Sequence, residues 1–329
     1  MSNTSDLYKY ISYSDLVNDI KKNLNKVHKG NYDLVVGIPR SGMMPAYIIA
    51  LFLNTHVTDF ESFIENKPLE SGLTRNIKYN LKKAHDAKRI LLVDDTISSG
   101  KQLSIKKERI PENLKSTVTS LAIYSTTDTN LVDIYFEMVG YRRLYEWNVF
   151  HRDYLKKACL DIDGVLCFDP TEEQDDDGSK YINFIDNAKP YFIPSYKVHS
   201  LVTNRLEKYR SQTESWLKKY NVKYDHLIML DVPNKSSKYN SGMYIDHKAN
   251  YFNSNKKLEV FIESSYKEAV YIMNKTGKPV LCISTNTMID PSMKSLLRNN
   301  QKSLIHSLKL NIIGMLPISL KNYIKKIIK

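Results

Sequence analysis

Short apolar runs that end in polar, glycine-containing turns recur along the chain and predict its main elements. Residues 34–36 lead into the turn 37–42, and residues 90–93 lead into the turn 94–100, each followed by a segment compatible with a helix. Continuously apolar strands are typical of parallel sheets that helices cover on both faces. Ligands of such sheets bind at the carboxyl ends of the strands, so both turns are candidate site elements.

The same pattern returns in the second half of the chain. The apolar run 157–160 leads into residues 161–165, and the run 198–202 leads into residues 203–205. The remaining pattern predicts strands at 227–230, 258–262 and 279–283, helices near 207–220 and 266–275, and a solvated acidic loop at 172–178. We therefore predict an α/β protein with two doubly wound parallel-sheet domains, residues 1–152 and 153–292, and a distinct tail, residues 293–329.

The length and composition agree with two globular domains. The chain has 329 residues, enough for two separate cores, and 42% of them are hydrophobic, which excludes fibrous and wholly disordered classes. Three cysteines without C-x-x-C spacing do not form a disulfide framework. We find neither a secretory signal nor an apolar run that spans a membrane, and we expect a cytoplasmic protein.

Positive charge is the unusual feature of the composition, and it is concentrated in the tail. The 48 Lys and Arg exceed the 36 Asp and Glu by 12, and eight positive charges lie from Pro291 onward, where no acidic residue occurs. Apolar residues in this segment follow helical spacing, which predicts a basic amphipathic C-terminal helix. Such a helix either docks on protein or binds an anionic membrane surface at the cytoplasmic face. Because the charge is local, we expect no nucleic acid partner.

Two adjacent carboxylates begin the turn after the second apolar run. Asp94 and Asp95 repel each other at close range unless they bind hydroxyl groups or a metal ion, so the pair suggests a sugar diol or Mg²⁺. The small residues that follow, 96–101, can present backbone N–H groups and a helix N-terminus to a phosphate. A plain turn with acidic caps is the alternative.

Two motifs in the first predicted domain resemble a known family. Residues 91–100, LLVDDTISSG, resemble the phosphoribosyl-pyrophosphate (PRPP) motif of type I phosphoribosyltransferases, and residues 37–42, GIPRSG, resemble their pyrophosphate loop. The resemblance implies that Asp94 and Asp95 hold the ribose hydroxyls of PRPP. It implies that Mg²⁺-pyrophosphate is held by Arg40 with the loop residues Ser41 and Gly42. It further implies a cradle for the 5-phosphate made of Thr96, Ile97, Ser98, Ser99, Gly100 and Lys101.

The resemblance also bears on the reaction. In this family pyrophosphate leaves C1 of PRPP with the help of Mg²⁺ and positive groups, and an acceptor attacks the opposite face to give a β-phosphoriboside. The family closes a mobile loop over the site, and residues 71–83 fall where that loop is expected. Arg75 in this segment either covers the pyrophosphate or is a solvated surface arginine. Trp147 either belongs to the core or lines the acceptor pocket.

The second predicted domain carries a different resemblance. Residues 161–165, DIDGV, resemble the first motif of haloacid dehalogenase (HAD) superfamily phosphatases, and residues 200–204, SLVTN, resemble the second. Lys248 is a candidate for the lysine of the third motif, and residues 261–265, FIESS, resemble the acidic fourth motif, with Glu263 where aspartates are more usual. Only about 40 residues separate successive motifs, which leaves no room for a full cap domain and predicts an open site.

This resemblance implies a role for each motif residue. Asp161 attacks phosphorus as the nucleophile, and Asp163 protonates the leaving alkoxide and later activates water. Mg²⁺ is held by Asp161, by the backbone carbonyl of Asp163 and by Glu263. The phosphoryl oxygens are bound by Thr203, Asn204 and Lys248.

The two reactions fit one hypothesis. A phosphatase beside a phosphoribosyltransferase makes sense if unphosphorylated ribose is the product, so we hypothesise transfer of phosphoribose from PRPP to a lipid-linked or oligosaccharide acceptor, followed by removal of the 5-phosphate. The arrangement is similar to the modules that add ribofuranose to bacterial surface polysaccharides. Two alternatives stay open: a nucleobase phosphoribosyltransferase with a nucleotidase-type second domain, and a PRPP-sensing regulator.

Overall fold

The computed structural model describes residues 8–70, 72, 76–237 and 243–293. The chain divides into two compact units, Met1–Val149 and Phe150–Lys329. The predicted tail helix and Arg75 lie outside the described residues. Within the described ranges, no helix is both long enough and apolar enough to cross a bilayer.

A five-stranded parallel sheet forms the centre of the first unit, in the spatial order β3-β2-β4-β5-β6. These strands are β2 (Leu34–Gly37), β3 (His56–Asp59), β4 (Ile90–Ile97), β5 (Val118–Ser125) and β6 (Ile134–Met138). A separate parallel pair is formed by β1 (Lys9–Ile11) and β7 (Arg143–Tyr145). The chain passes from β2 to β3 on one side and returns to β4 on the other, so the direction of strand order reverses between β2 and β4. Open α/β sheets bind their ligands at such a reversal.

Helices cover both faces of this sheet, as the apolar strands predict. They are α1 (Tyr13–His28), α2 (Met43–Leu53), α3 (Phe60–Ile64), α4 (Lys101–Glu108) and α5 (Glu112–Lys115). Alternate residues of β4 enter opposite cores: Leu91 and Val93 pack in one hydrophobic cluster, and Ile90 and Leu92 pack in the other. The two-sided burial explains why these strands read as continuous apolar runs.

Strand β4 is longer than its apolar run. It extends through Asp94 and Asp95 to Ile97, because the ladder to β5 continues with Thr96 opposite Tyr124 and Ile97 opposite Ser125. The prediction that the turn starts at Asp94 was therefore wrong by four residues. The polar pair lies on the last part of the strand, and the turn that leads to α4 is Ser98 to Gly100.

The second unit contains a six-stranded sheet in the order β10-β9-β8-β11-β12-β13, parallel except for the last pair. Its strands are β8 (Ala158–Leu160), β9 (Val198–Leu206), β10 (Tyr224–Leu230), β11 (Val260–Glu263), β12 (Val280–Cys282) and β13 (Thr287–Ile289). The strand order reverses between β8 and β11, which again marks a ligand position at their carboxyl ends.

The helices of the second unit are α6 (Ser179–Asn187), α7 (Arg210–Lys219), α8 (Met243–Ser254) and α9 (Tyr266–Thr276). The structure confirms the strands and helices predicted in this half, with bounds that differ by a few residues. The acidic segment 172–178 is irregular, as predicted. Helices α6 and α8 and the antiparallel edge strand β13 were missed, although α6 does have an amphipathic pattern that buries Tyr181, Phe184 and Ile185.

Two candidate active sites

The pyrophosphate-like loop and the carboxylate pair of the first unit lie against each other. The N–H of Ile38 donates to the carbonyl of Val93 at 2.9 Å, which joins the loop to β4. Gly42 packs so closely that a Cβ on it would lie 2.9 Å from the Cα of Asp94 and 2.6 Å from the carbonyl oxygen of Ile38. Only glycine permits this approach. The two sequence motifs therefore form one site at the carboxyl ends of β2 and β4, with Arg40 exposed on the loop.

The two carboxylates of this site are held differently. Asp94 accepts a hydrogen bond from the backbone N–H of Asp95 at 2.9 Å, and burial, together with the charge of Asp95, raises its pKa to about 8. Asp95 is almost fully buried, and its Oδ2 accepts a hydrogen bond from the indole N–H of Trp147 at 2.9 Å. Trp147 in turn stacks on Tyr145, with ring centroids 4.7 Å apart. Trp147 thus orients an acidic residue of the site, a contact that its sequence position alone does not reveal.

The segment predicted to hold the 5-phosphate turns from β4 into α4. Gly100 has a φ of 70° and precedes Lys101, the first residue of the helix, so the turn requires a residue that tolerates the left-handed region. The side chain of Thr96 accepts a hydrogen bond from the hydroxyl of Tyr145, and that of Ser98 pairs with Thr126. Ile97 points into the core, so only its backbone is available to a ligand.

The comparisons with known proteins concern mainly this first unit. Residues 6–155 match the family model described as "Phosphoribosyl transferase domain". Residues 6–155 form a phosphoribosyl transferase domain. No curated protein matched the chain.

Solved structures resemble the chain at low identity. A purine phosphoribosyltransferase from Pyrococcus horikoshii is 20% identical over 43% of this chain and 93% of its own, with a TM-score of 0.31. The xanthine-guanine-hypoxanthine phosphoribosyltransferase of Helicobacter pylori is 18% identical over 43% of this chain and 94% of its own, with a TM-score of 0.32. A chain of a structure titled "Structure of Pnkp1/Rnl/Hen1 complex" is 14% identical over 86% of this chain and 98% of its own, with a TM-score of 0.24.

The second unit brings motif residues together around one lysine. The ammonium group of Lys248 donates to Oδ2 of Asp161 at 2.7 Å and to Oε2 of Glu263 at 2.8 Å. It also donates to Oε2 of Glu268 at 2.9 Å. We call this arrangement the lysine cage: Lys248 with Asp161, Glu263 and Glu268. Asp161 follows β8, Glu263 ends β11 and Lys248 comes from α8, so the cage lies at the reversal of strand order.

Buried charge dominates the lysine cage. Lys248 and Glu263 are each 1% exposed, and three carboxylates face a single ammonium group. Burial raises the pKa of Asp161, although Lys248 opposes the shift, and burial raises the pKa of Glu263 to about 8. The pKa of Lys248 lies well above its usual value, because attraction to Asp161 and Glu263 outweighs the effect of burial. Three ionised carboxylates would outnumber the single ammonium group, and their repulsion is relieved either by protonation of Glu263 or by a bound cation.

Asp163 is bound outside the cage by an arginine that the motif analysis missed. Arg205 is fully buried; its Nε donates to Oδ2 of Asp163 at 3.1 Å and its terminal nitrogen donates to Oδ1 at 2.6 Å. Burial alone would raise the pKa of Asp163, but the charge and hydrogen bonds of Arg205 hold it below the usual range. Asp163 also accepts a weak hydrogen bond from the thiol of Cys167.

The remaining predicted residues border the same cavity. Thr203 is buried, and its Oγ1 accepts a hydrogen bond from the N–H of Arg205 at 3.2 Å. Asn204 donates to Oε2 of Glu268 at 3.1 Å. The cavity has a volume of about 640 Å³ and is lined by Asp161, Asp163, Thr203, Asn204, Lys248, Glu263 and Glu268. The six residues to which the sequence analysis assigns a role in the second site therefore border one cavity.

Two residues of this site, Arg205 and Glu268, were absent from the sequence prediction. Arg205 lies near the end of strand β9, where only four of the nine residues are apolar, so the sequence pattern does not reveal that the arginine is buried. Once it is known to be buried, an acidic partner such as Asp163 is expected. Glu268 lies in the first turn of α9, five residues after Glu263. Acidic residues are common there because they interact favourably with the helix dipole, so its position gives no specific sign of a role in the site.

The second site offers oxygen atoms of the kind that a hard divalent cation prefers. Within the described residues, no group of three or more His, Cys, Asp or Glu side chains is arranged to hold a metal ion, and Lys248 lies between the cage carboxylates. The predicted site uses only two side chains, Asp161 and Glu263, with the backbone carbonyl of Asp163. These are oxygen donors only, which suits Mg²⁺, and the surplus negative charge of the cage favours a cation.

Proposed function

We propose that the protein performs two consecutive reactions on one ribose: phosphoribosyl transfer from PRPP to a glycan hydroxyl, then removal of the 5-phosphate. The first reaction belongs to the phosphoribosyl transferase domain. The second is assigned to residues 153–292 as a HAD-like phosphatase. The observation that carries the proposal is the meeting of Asp161, Lys248 and Glu263 around one buried point at the end of β8.

In the transfer step, the bond between C1 of PRPP and pyrophosphate breaks and a bond from C1 to the acceptor oxygen forms. The acceptor proton is lost to solvent or a base, and the product is a 5-phospho-β-riboside. Asp94 and Asp95 hold the ribose hydroxyls, with Asp95 oriented by Trp147. The turn from Thr96 to Lys101 holds the 5-phosphate through backbone N–H groups, and Arg40 faces the pyrophosphate.

In the hydrolysis step, Asp161 attacks phosphorus and the ester bond to the ribose oxygen breaks. Asp163 gives a proton to that oxygen only after it leaves the ion pair with Arg205 that holds it ionised, and it then takes one from the water that releases phosphate from Asp161. Asp161 is positioned for attack by the hydrogen bond that its Oδ1 accepts from the N–H of Ile162 at 2.8 Å. Asp161, Glu263 and the backbone carbonyl of Asp163 would hold Mg²⁺ in this site, and the ion would offset the repulsion between carboxylate and phosphate.

A glycan acceptor accounts best for the pairing of the two sites. A nucleotide-forming enzyme would destroy its own product if the second site removed the 5-phosphate, whereas a riboside is a stable end product. The cavity of about 640 Å³ is larger than a phosphate needs, which supports a substrate with a bulky leaving group. We assign the basic tail, residues 293–329, to attachment at an anionic membrane surface that carries lipid-linked acceptors.

The first experiment measures phosphate release from methyl β-D-ribofuranoside 5-phosphate with Mg²⁺. We expect release by the parent protein and none by Asp161→Asn. A second assay follows pyrophosphate release from PRPP with sugars or nucleobases as acceptors, and sugar-dependent release is expected. Release that depends on a nucleobase would overturn the glycan assignment, and phosphate release that persists in Asp161→Asn would overturn the phosphatase assignment.

A further inference from the structure

Two exposed aromatic rings lie at the cavity of the lysine cage. Phe168 is 51% exposed and Tyr191 is 44% exposed, and their rings stack with centroids 4.7 Å apart and planes 21° from parallel. Both rings line the same cavity as Asp161. Large apolar rings are costly to leave in water, so an exposed stacked pair beside a reactive carboxylate is a candidate surface for the flat face of a ligand.

The backbone segments that carry the two aromatic rings are held by hydrogen bonds. The N–H of Phe168 donates to the carbonyl of Lys189 at 3.1 Å, and the N–H of Tyr191 donates to the carbonyl of Leu166 at 2.7 Å. Behind Tyr191 the ring of Phe192 lies 4.0 Å away, centroid to centroid. The backbone beneath the rings is therefore already ordered, which limits the entropy cost of binding to the side chains themselves.

A second cavity adjoins the aromatic pair. It has a volume of about 440 Å³ and shares Phe168 and Asp169 with the cavity of the lysine cage. Most of its lining surface is apolar, and its other lining residues are Thr171, Gln174, Asn183, Phe184, Asn187, Ala188 and Lys189. A carboxylate and several amides around an aromatic surface suit a sugar, because its C–H face packs on a ring while its hydroxyls bond to the polar groups.

One polar group of this second cavity is available to a ligand. The side chain of Asp169 is exposed, and among the described residues no hydrogen bond or ion pair reaches its carboxylate. The neighbouring amide of Asn187 is occupied instead, since it donates to the backbone and side-chain oxygens of Asn183. Asp169 therefore keeps its acceptor capacity for hydroxyl groups, of which a sugar ring carries several.

Charge distinguishes the classes of ligand. Asp169 and Asp175 add two carboxylates to those of the lysine cage, and Lys235 already pairs with Asp175 at 2.7 Å. A leaving group with further phosphates, such as a polynucleotide, would meet this acidic lining and be repelled. An uncharged, hydroxyl-rich leaving group meets no such cost.

We propose that Phe168 and Tyr191, with the adjoining cavity at Asp169, form a subsite for the neutral sugar that carries the phosphorylated ribose. The inference rests on the proposed phosphatase function and deepens it, because it makes the second site selective for phosphoribosylated glycans over nucleotides and free ribose 5-phosphate. The stacked rings hold the sugar face while the phosphate lies at Asp161.

The test compares the rates at which the full chain releases phosphate from several substrates. They are methyl β-D-ribofuranoside 5-phosphate, AMP, and a panel of disaccharides in which 5-phospho-β-ribofuranose is linked to O-2, O-3 or O-4 of a methyl hexoside. We expect at least one disaccharide to exceed the other two substrates in kcat/KM by about tenfold. In the Phe168→Ala/Tyr191→Ala variant, we expect that preference to be lost. Tyr196→Ala, which changes an aromatic residue of similar exposure outside both cavities, retains it.

The outcomes separate this inference from the function on which it rests. Equal use of all substrates, a preference for AMP, or a disaccharide preference that survives in the double variant would overturn the sugar subsite while leaving the phosphatase intact. Absence of Asp161-dependent phosphate release would instead overturn the phosphatase. In that case saturation-transfer NMR with the unphosphorylated disaccharides decides the subsite: signals lost in the double variant support it, and no signals with the parent protein overturn it.

Discussion

The indole N–H of Trp147 donates a hydrogen bond to the carboxylate of Asp95 at 2.9 Å, linking the end of the first unit to the site on β4. The contact fixes a buried acidic residue that is 3% exposed and would otherwise rotate without a partner. Trp147→Phe keeps the ring stacked on Tyr145 and removes only the donor. We expect PRPP affinity to fall about fivefold, near 1 kcal/mol, as measured by isothermal titration calorimetry. Unchanged affinity would show that Asp95 needs no such partner.

Gly42 and Gly140 form a matched pair for testing the approach of the loop to β4. A Cβ on Gly42 would lie 2.9 Å from the Cα of Asp94, whereas a Cβ on Gly140 would meet no atom within 4 Å. We expect Gly42→Ala to abolish PRPP binding by pushing the loop from the carboxylates, and Gly140→Ala to bind normally. Calorimetry with PRPP distinguishes them, and normal binding by Gly42→Ala would contradict the packing of the two motifs.

Asp94 is held at a cost to stability. Burial and the neighbouring Asp95 raise its pKa to about 8 in the folded protein, against about 3.9 in an unfolded chain. Between these two pKa values, Asp94 is ionised in the unfolded chain but still protonated in the folded protein. The free energy of unfolding therefore falls as the pH rises through this range. Asn at position 94 cannot ionise, so we expect Asp94→Asn to raise the Tm at pH 8, by about 2–4 °C for each kcal/mol gained. The gain should shrink at pH 5, and a Tm at pH 8 equal to the parent's would contradict the shift.

The strands that carry both sites were predictable because their apolar runs are continuous and their turns are polar, whereas α8, which carries Lys248, was not predicted. Strand order brings Gly42 against Asp94 and Lys248 against Asp161, and the sequence pattern does not reveal strand order. The end of β4 was misplaced because Asp94 and Asp95 read as turn residues, while hydrogen bonding to β5 carries the strand past them. Arg205 was missed, and the role of Trp147 stayed open, because each acts through another side chain, Asp163 or Asp95, that is far away in sequence.

The ion pair between Arg205 and Asp163 is expected to stabilise the second site, and substitutions at both residues test this. Both groups lack full access to water, so Arg205→Met leaves a buried carboxylate without a partner and should destabilise the second unit by about 3–5 kcal/mol. We expect the Arg205→Met/Asp163→Asn double variant to lose less than the sum of the single variants, with a coupling of about 1–3 kcal/mol in urea unfolding. Strict additivity would show that the pair contributes nothing to stability.

The most direct measurement of the two-step account is the mass of the product. The parent protein and Asp161→Asn are each incubated with PRPP, Mg²⁺ and a panel of labelled oligosaccharide acceptors, and the products are analysed by mass spectrometry. The account predicts a gain of one pentose with the parent protein and of one pentose phosphate with Asp161→Asn. A phosphorylated product from the parent protein, or the same product from both proteins, would contradict it.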